Sequence, residues 1–295
     1  MTRLTNAFSI ALVAIIPFGA GAQKRPSVQQ NNLLAPANVK IDARLNEWGD
    51  TFQAYNNTTD VFYTLANDDE NLYLVLKSAD QMNSNKIMAG GINFTVNTAG
   101  KKQEKDAYTL VFPLANTAGG GGGQIRSVTV MRPAGGGDNI RMDVAGPGGG
   151  MPAPPDSAAI AARRKKAVSM LKELKLVGFT ADIADTTISI YNEYGIKVAL
   201  DYDAKGSLVY EMAIPLKYLH LSTDKPKEFA YNIKINGLNL SAMLPPGAVV
   251  MVAPPPGGGG DAVRMNMGGG GGMPGPMQAM ISPTDFWGKY TLAKK

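Results

Sequence analysis

The fold this sequence predicts is an antiparallel β-sandwich of jelly-roll type, mostly β with one inserted helix. Three observations predict it. Apolar and polar residues alternate with period two outside the glycine-rich stretches, the alternating runs are short, and polar turn sequences separate several of them. Many short strands joined by such turns close into a sandwich or barrel rather than an open sheet.

The elements follow in order. Val61, Tyr63 and Leu65 alternate with Phe62 and Thr64, and Leu72, Leu74 and Leu76 alternate with Tyr73, Val75 and Lys77. Asn67-Asp68-Asp69-Glu70-Asn71 between them has hairpin length and turn chemistry. Similar alternation recurs at 92–96, 108–114, 187–191, 196–202, 208–214 and 229–240, and 285–290 reads as a final strand. Asn192-Glu193-Tyr194-Gly195 and Asp203-Ala204-Lys205-Gly206 are likewise read as hairpin turns, which makes neighbouring strands antiparallel. Residues 157–175 read as the one helix, with Asp156 or Ser157 as N-cap, an apolar stripe of Ile160, Val168, Leu171 and Leu174, and Gly178 beyond its end.

The first 22 residues have the form of a signal peptide: Arg3 as a positive n-region, an apolar run from Ala7 to Pro17 too short to span a bilayer, and the small residues Ala20-Gly21-Ala22 at the cleavage site. The expectation is an exported, periplasmic or secreted protein with no transmembrane anchor in the mature chain. The sequence has no cysteine, hence neither a disulfide nor an acylated cysteine. Residues 23–38 read as a linker and 39–295 as a single domain, with glycine-rich insertions at about 115–156 and 245–282.

A net charge of +5 is mild. Nucleic-acid binders carry a dense basic stripe with interleaved aromatics. The only tight basic cluster here is Arg163-Arg164-Lys165-Lys166, whose charges fan around a helix, so no nucleic-acid partner is expected.

The insertions contain a repeat. Gly135-Gly136-Gly137-Asp138-Asn139-Ile140-Arg141-Met142 recurs as Gly258-Gly259-Gly260-Asp261-Ala262-Val263-Arg264-Met265, and each copy leads to a Gly-Gly-Gly-Met-Pro tail. Neither has the form of a phosphate-binding loop. Two readings stay open: independent low-complexity insertions, or a pair of hairpins that places Met142 near Met265 or Met267. Thioethers are soft ligands, so Met142, Met265 and Met267 are candidate copper ligands, or oxidant buffers through sulfoxide cycling. His220, the one histidine, is expected at the surface and is weak evidence for haem or for a histidine-dependent hydrolase.

Ile41-Asp42-Ala43-Arg44-Leu45-Asn46-Glu47-Trp48, the run from Thr59 to Leu76, and Leu208-Val209-Tyr210-Glu211-Met212-Ala213-Ile214-Pro215-Leu216 together resemble a family-9-type carbohydrate-binding module, a DOMON-like sandwich. In that family an Ile-Asp-Gly segment precedes a tryptophan and an acid-rich hairpin, and a late strand ends in Ile-Pro-Leu. Ala43 stands where the family usually has glycine. The resemblance implies carbohydrate or glycan binding without catalysis, a packing role for Trp48, and a structural calcium for which Asp42, Glu47 and Asp50 are the nearby acids.

Sugar binding needs aromatic faces beside polar groups, because pyranose faces are apolar and their rims hydroxylated. Trp287 is the better-placed indole, and Tyr55, Tyr191, Tyr194 and Tyr231 are alternative platforms. Other readings on the same fold are an envelope structural or interaction protein and a methionine-based copper protein. Carboxylate-pair glycoside hydrolysis is the minority, enzymatic one.

Overall fold

The computed structural model describes residues 25–114, 156–238 and 275–294. Within them the chain is a sandwich of two antiparallel sheets. The strands are β1 (Ala54–Asn56), β2 (Val61–Asn67), β3 (Asn71–Ser78), β4 (Ile92–Asn97), β5 (Tyr108–Phe112), β6 (Glu173–Val177), β7 (Thr187–Ser189), β8 (Lys197–Tyr202), β9 (Leu208–Pro215), β10 (Phe229–Ile235) and β11 (Thr284–Tyr290). The five-stranded sheet has the order β1-β2-β3-β9-β8, and the six-stranded sheet β11-β10-β4-β5-β6-β7. The helices are α1 (Gln81–Gly90), α2 (Ser157–Ser169) and α3 (Gly275–Ile281), and a 3-10 turn spans Leu216–Leu219. No helix among the described residues is long and apolar enough to cross a membrane.

Turn chemistry sets two of the three expected hairpins. Asp68 Oδ1 accepts from the backbone N–H of Glu70 (2.8 Å) and Asn71 (2.6 Å), closing β2 onto β3. Asp203 Oδ1 accepts from Lys205 N and Ser207 N, both at 2.9 Å, and Gly206 takes φ +81°, closing β8 onto β9. In both, a short side chain substitutes for a backbone turn partner.

The third expected hairpin, at 192–195, is instead a corner between the sheets. β7 pairs with β6 while β8 pairs with β9. Asn192 holds the corner, its Nδ2 donating to Ser189 O (2.9 Å) and Ile196 O (2.8 Å). Ile188 and Ile196 are buried on either side of this corner, so a short polar connection serves a change of sheet as well as a hairpin.

Helix boundaries also differ from expectation. Asp156 caps α2, accepting from Ala159 N at 2.6 Å, but the helix ends at Ser169 and residues 173–177 form β6. Leu174 and Leu176 point into the core while Glu173, Lys175 and Val177 are exposed, a strand's alternation that overrides the continued helical stripe. Gly178 therefore ends a strand. Its φ is +88°, and a Cβ there would lie 2.3 Å from Ala107 O. The helix α1 has a weak apolar face, because Ser84 and Lys86 are buried beside Ile87, and so it escapes periodicity analysis.

The core lies between the sheets. Tyr231 is fully buried there, and its hydroxyl meets that of Tyr63 across the layers at 2.9 Å. Gly288 gives the ring room, since a Cβ at that position would stand 2.3 Å from it.

A second apolar cluster covers the outer face of the five-stranded sheet. Trp48 and Phe52, with Leu33, Ala35, Val39, Ile41 and Leu45, pack on Ala66, Tyr73, Val75 and Ala213. The segment 25–52 is thus a strap laid across the sheet. Residues 25–38, expected as a linker, belong to it: Leu34 bridges Asn67, Gln29 is buried against Leu65, and Leu33 bonds the Tyr290 hydroxyl. Partial burial of Leu33 and Ala35 against this cluster explains why the stretch is part of the domain.

Candidate ligand-binding groove

Beneath the strap Glu211, in the middle of β9, is fully buried. Its Oε2 accepts from Asp42 N (2.9 Å) and Ala43 N (2.8 Å), so the carboxyl pins the strap's turn to the sheet. Ala43 adopts φ +59°, a left-handed conformation that suits glycine better than alanine. Desolvation raises the Glu211 pKa to about 7, outweighing the two backbone N–H groups and the neighbouring Trp48 N–H that favour the ion. Trp48 Nε1 and Glu211 Oε1 are both buried without a hydrogen-bond partner among the described residues.

Where the strap stops, the sheet's outer face opens into a groove of about 940 Å³. Tyr73, Ala213 and Lys197, opposite one another on β3, β9 and β8, form one row of its floor. Val39 and Ile41 of the strap wall one side. The 192–195 corner brings Tyr194 to the opposite side, where it lies half-buried with its ring 6.1 Å from Tyr218 in an edge-on arrangement. Leu216 N donates to Glu70 O at 2.8 Å, tying the end of β9 to the β2–β3 turn at the rim.

The groove is mixed in charge. Asp69, Glu70 and Asp224 supply carboxylates, Lys197 and Lys217 ammonium groups, and Asn71, Ser222 and Thr223 neutral donors and acceptors. The Tyr73 hydroxyl donates to Asp68 Oδ2 (2.6 Å), and burial together with that bond pushes its pKa above the ordinary value. Such a lining offers hydrogen-bond donors and acceptors of both charges beside apolar and aromatic side chains. The acid whose pKa is raised toward neutrality, Glu211, lies under the strap and does not line the groove.

The aromatic residues singled out in the sequence do not form one site. Tyr194 alone of the five lines the groove. Tyr55 lies on the edge strand β1, its ring tilted 38° to that of Phe62 at 4.6 Å and its hydroxyl bonded to Asp60 (2.5 Å). Tyr191 is 76 % exposed, with Lys172 Nζ 5.3 Å from its ring. Trp287, partly exposed on the edge strand β11, pairs with Asn232 on the outer face of the other sheet. Tyr231 offers no face, being enclosed in the core by the inward alternation of Phe229, Ile233 and Ile235.

The acids expected to hold calcium do not converge. Asp50 pairs with Lys77 at 3.0 Å, Asp42 Oδ1 accepts from Arg44 N, and Glu47 Oε2 is buried without a partner. A calcium site needs six or more oxygens around one point, and no acidic or histidine group among the described residues is arranged to hold a metal ion. His220 is at the surface, 3.2 Å from Asp182. Met142, Met265, Met267, the glycine repeats and residues 1–22 lie outside the described residues.

No protein-family profile matches the chain, and no curated protein is significantly similar to it.

Proposed function

We propose that this is an exported, non-catalytic carbohydrate-binding protein whose sandwich resembles the family-9-type module, and that it holds a neutral saccharide in the groove at the end of the strap. One observation carries the reading: Tyr194 stands at an open groove among carboxylates, amines and an amide of balanced character. The arrangement of the segments that carry the resemblance supports it. The acid-rich hairpin and the Ile-Pro-Leu strand, far apart in sequence, are direct neighbours, with Leu72 opposite Ile214. The Ile41 to Trp48 segment folds onto them and meets Glu211.

Calorimetric titration with an oligosaccharide that the chain retains tests the placement. Tyr194→Ala is expected to weaken binding about tenfold, the usual cost of losing an aromatic anchor. Trp287→Ala is expected to leave it unchanged. The opposite pattern moves the site to the outer face of the six-stranded sheet.

A further inference from the structure

A second cleft, of about 190 Å³, opens between α1 and α2. Its polar lining is all cationic or neutral: Arg163 and Arg164 from α2, Gln81 and Asn85 from α1, and Tyr202 from β8. No carboxylate among the described residues lines it. Among the described residues neither guanidinium is within ion-pair distance of an acid. Asp80 caps α1 through Asn83 N, and Asp201, whose Oδ1 accepts from Tyr202 N, acts on the Tyr202 hydroxyl in opposition to Arg164.

Arg164 is held in place. Its Cζ lies 4.4 Å from the centre of the Tyr202 ring, and its Nη1 sits against Gly206, where a Cβ would approach it to 2.9 Å. A guanidinium held by an aromatic face and a bare glycine has already lost most of its rotamer freedom, while its N–H edges remain available for a planar oxyanion. The side-chain amides of Gln81 and Asn85 have no protein partner among the described residues and supply further donors. The volume equals the liquid share of about six waters, more than a bare ion needs, and Met88 adds an apolar wall.

We propose that this cleft binds a small ligand bearing an oxyanion, a carboxylate or sulfate on a body of about the size of a sugar acid, through Arg164 and Arg163. The site is separate from the groove and does not depend on the neutral-saccharide reading.

The test is titration of the full chain with D-glucuronate and with inorganic sulfate, using glucose as the neutral control. Saturable glucuronate binding is expected, weakened about tenfold in Arg164→Gln and in Arg163→Gln, the scale of one charge-assisted bond. Lys165→Gln, which removes a charge outside the cleft, is expected to leave glucuronate binding unchanged. Sulfate binding with the same arginine dependence supports the oxyanion assignment, and tighter glucuronate binding adds the apolar wall to it. Thermal melting of each variant separates loss of the site from loss of the fold, and Arg163, which does not cover Tyr202, provides the second route. The proposal is overturned if neither probe saturates, if glucose competes, or if Lys165→Gln weakens binding as much as Arg164→Gln, since a diffuse helical charge then explains the attraction.

Discussion

Trp48→Ala is expected to lower the unfolding free energy by about 3–5 kcal/mol, the range for removing a large buried aromatic ring, measured by urea denaturation. Trp48 is 8 % exposed and meets Tyr73 edge-on at 6.2 Å in the cluster that fastens the strap to the sheet. Its loss removes the largest side chain of that cluster and lets water reach Glu211. The Glu211 pKa should then fall toward the ordinary carboxylate range, because desolvation is the leading cause of its elevation. A variant that melts like the parent would show that the strap contributes little to stability and that Trp48 is available for ligand.

Glu211→Gln is expected to stabilise the protein at pH 8. The folded-state pKa of about 7 lies above the ordinary 4.5, so the folded chain favours the protonated carboxyl. The favourable contribution is complete below about pH 4.5 and declines as pH rises toward 7, by about 3 kcal/mol in all. Glutamine is isosteric with the protonated acid, and its carbonyl accepts the same N–H groups of Asp42 and Ala43. The parent and variant should therefore be equally stable near pH 4.5 and diverge up to pH 8, with the variant above. Their difference isolates Glu211 from groups such as Asp203, where desolvation is outweighed by Lys77 and the Ser207 and Lys205 N–H groups, so that its pKa is lowered and its contribution is lost only at more acid pH. A constant difference across that range would place an ionised Glu211 in the folded protein throughout.

Local chemistry was legible in the sequence. Asp68 and Asp203 close their turns through contacts within four residues, so reading their neighbourhood suffices. The alternation over 229–235 was also legible, but the expectation of Tyr231 as a ligand platform ran against it, because period two groups that residue with the buried Phe229, Ile233 and Ile235. Leu171 and Leu174 were ambiguous. They continue a helical stripe from Val168, and only the pairing of β6 with Thr109, Leu110 and Val111 makes the second of them a strand residue. The corner at Asn192 could not be separated from a hairpin, because the same polar residues satisfy either path. The groove was beyond reach, since it joins Ile41, Tyr73, Tyr194 and Asp224, which come together only when the strap, both sides of the β3–β9 pair and the sheet corner are in place. The α1–α2 cleft was hidden for the same reason. Arg163 and Arg164 read as a solvated run until Tyr202 and Asn85 are seen beside them.

A glycan-array screen of the full chain tests the central claim most directly. Carbohydrate binding in the groove predicts selective retention of at least one neutral oligosaccharide family, displaced by the same free sugar. Uniform absence of retention across neutral glycans would contradict the claim and leave the sandwich as a structural or interaction protein.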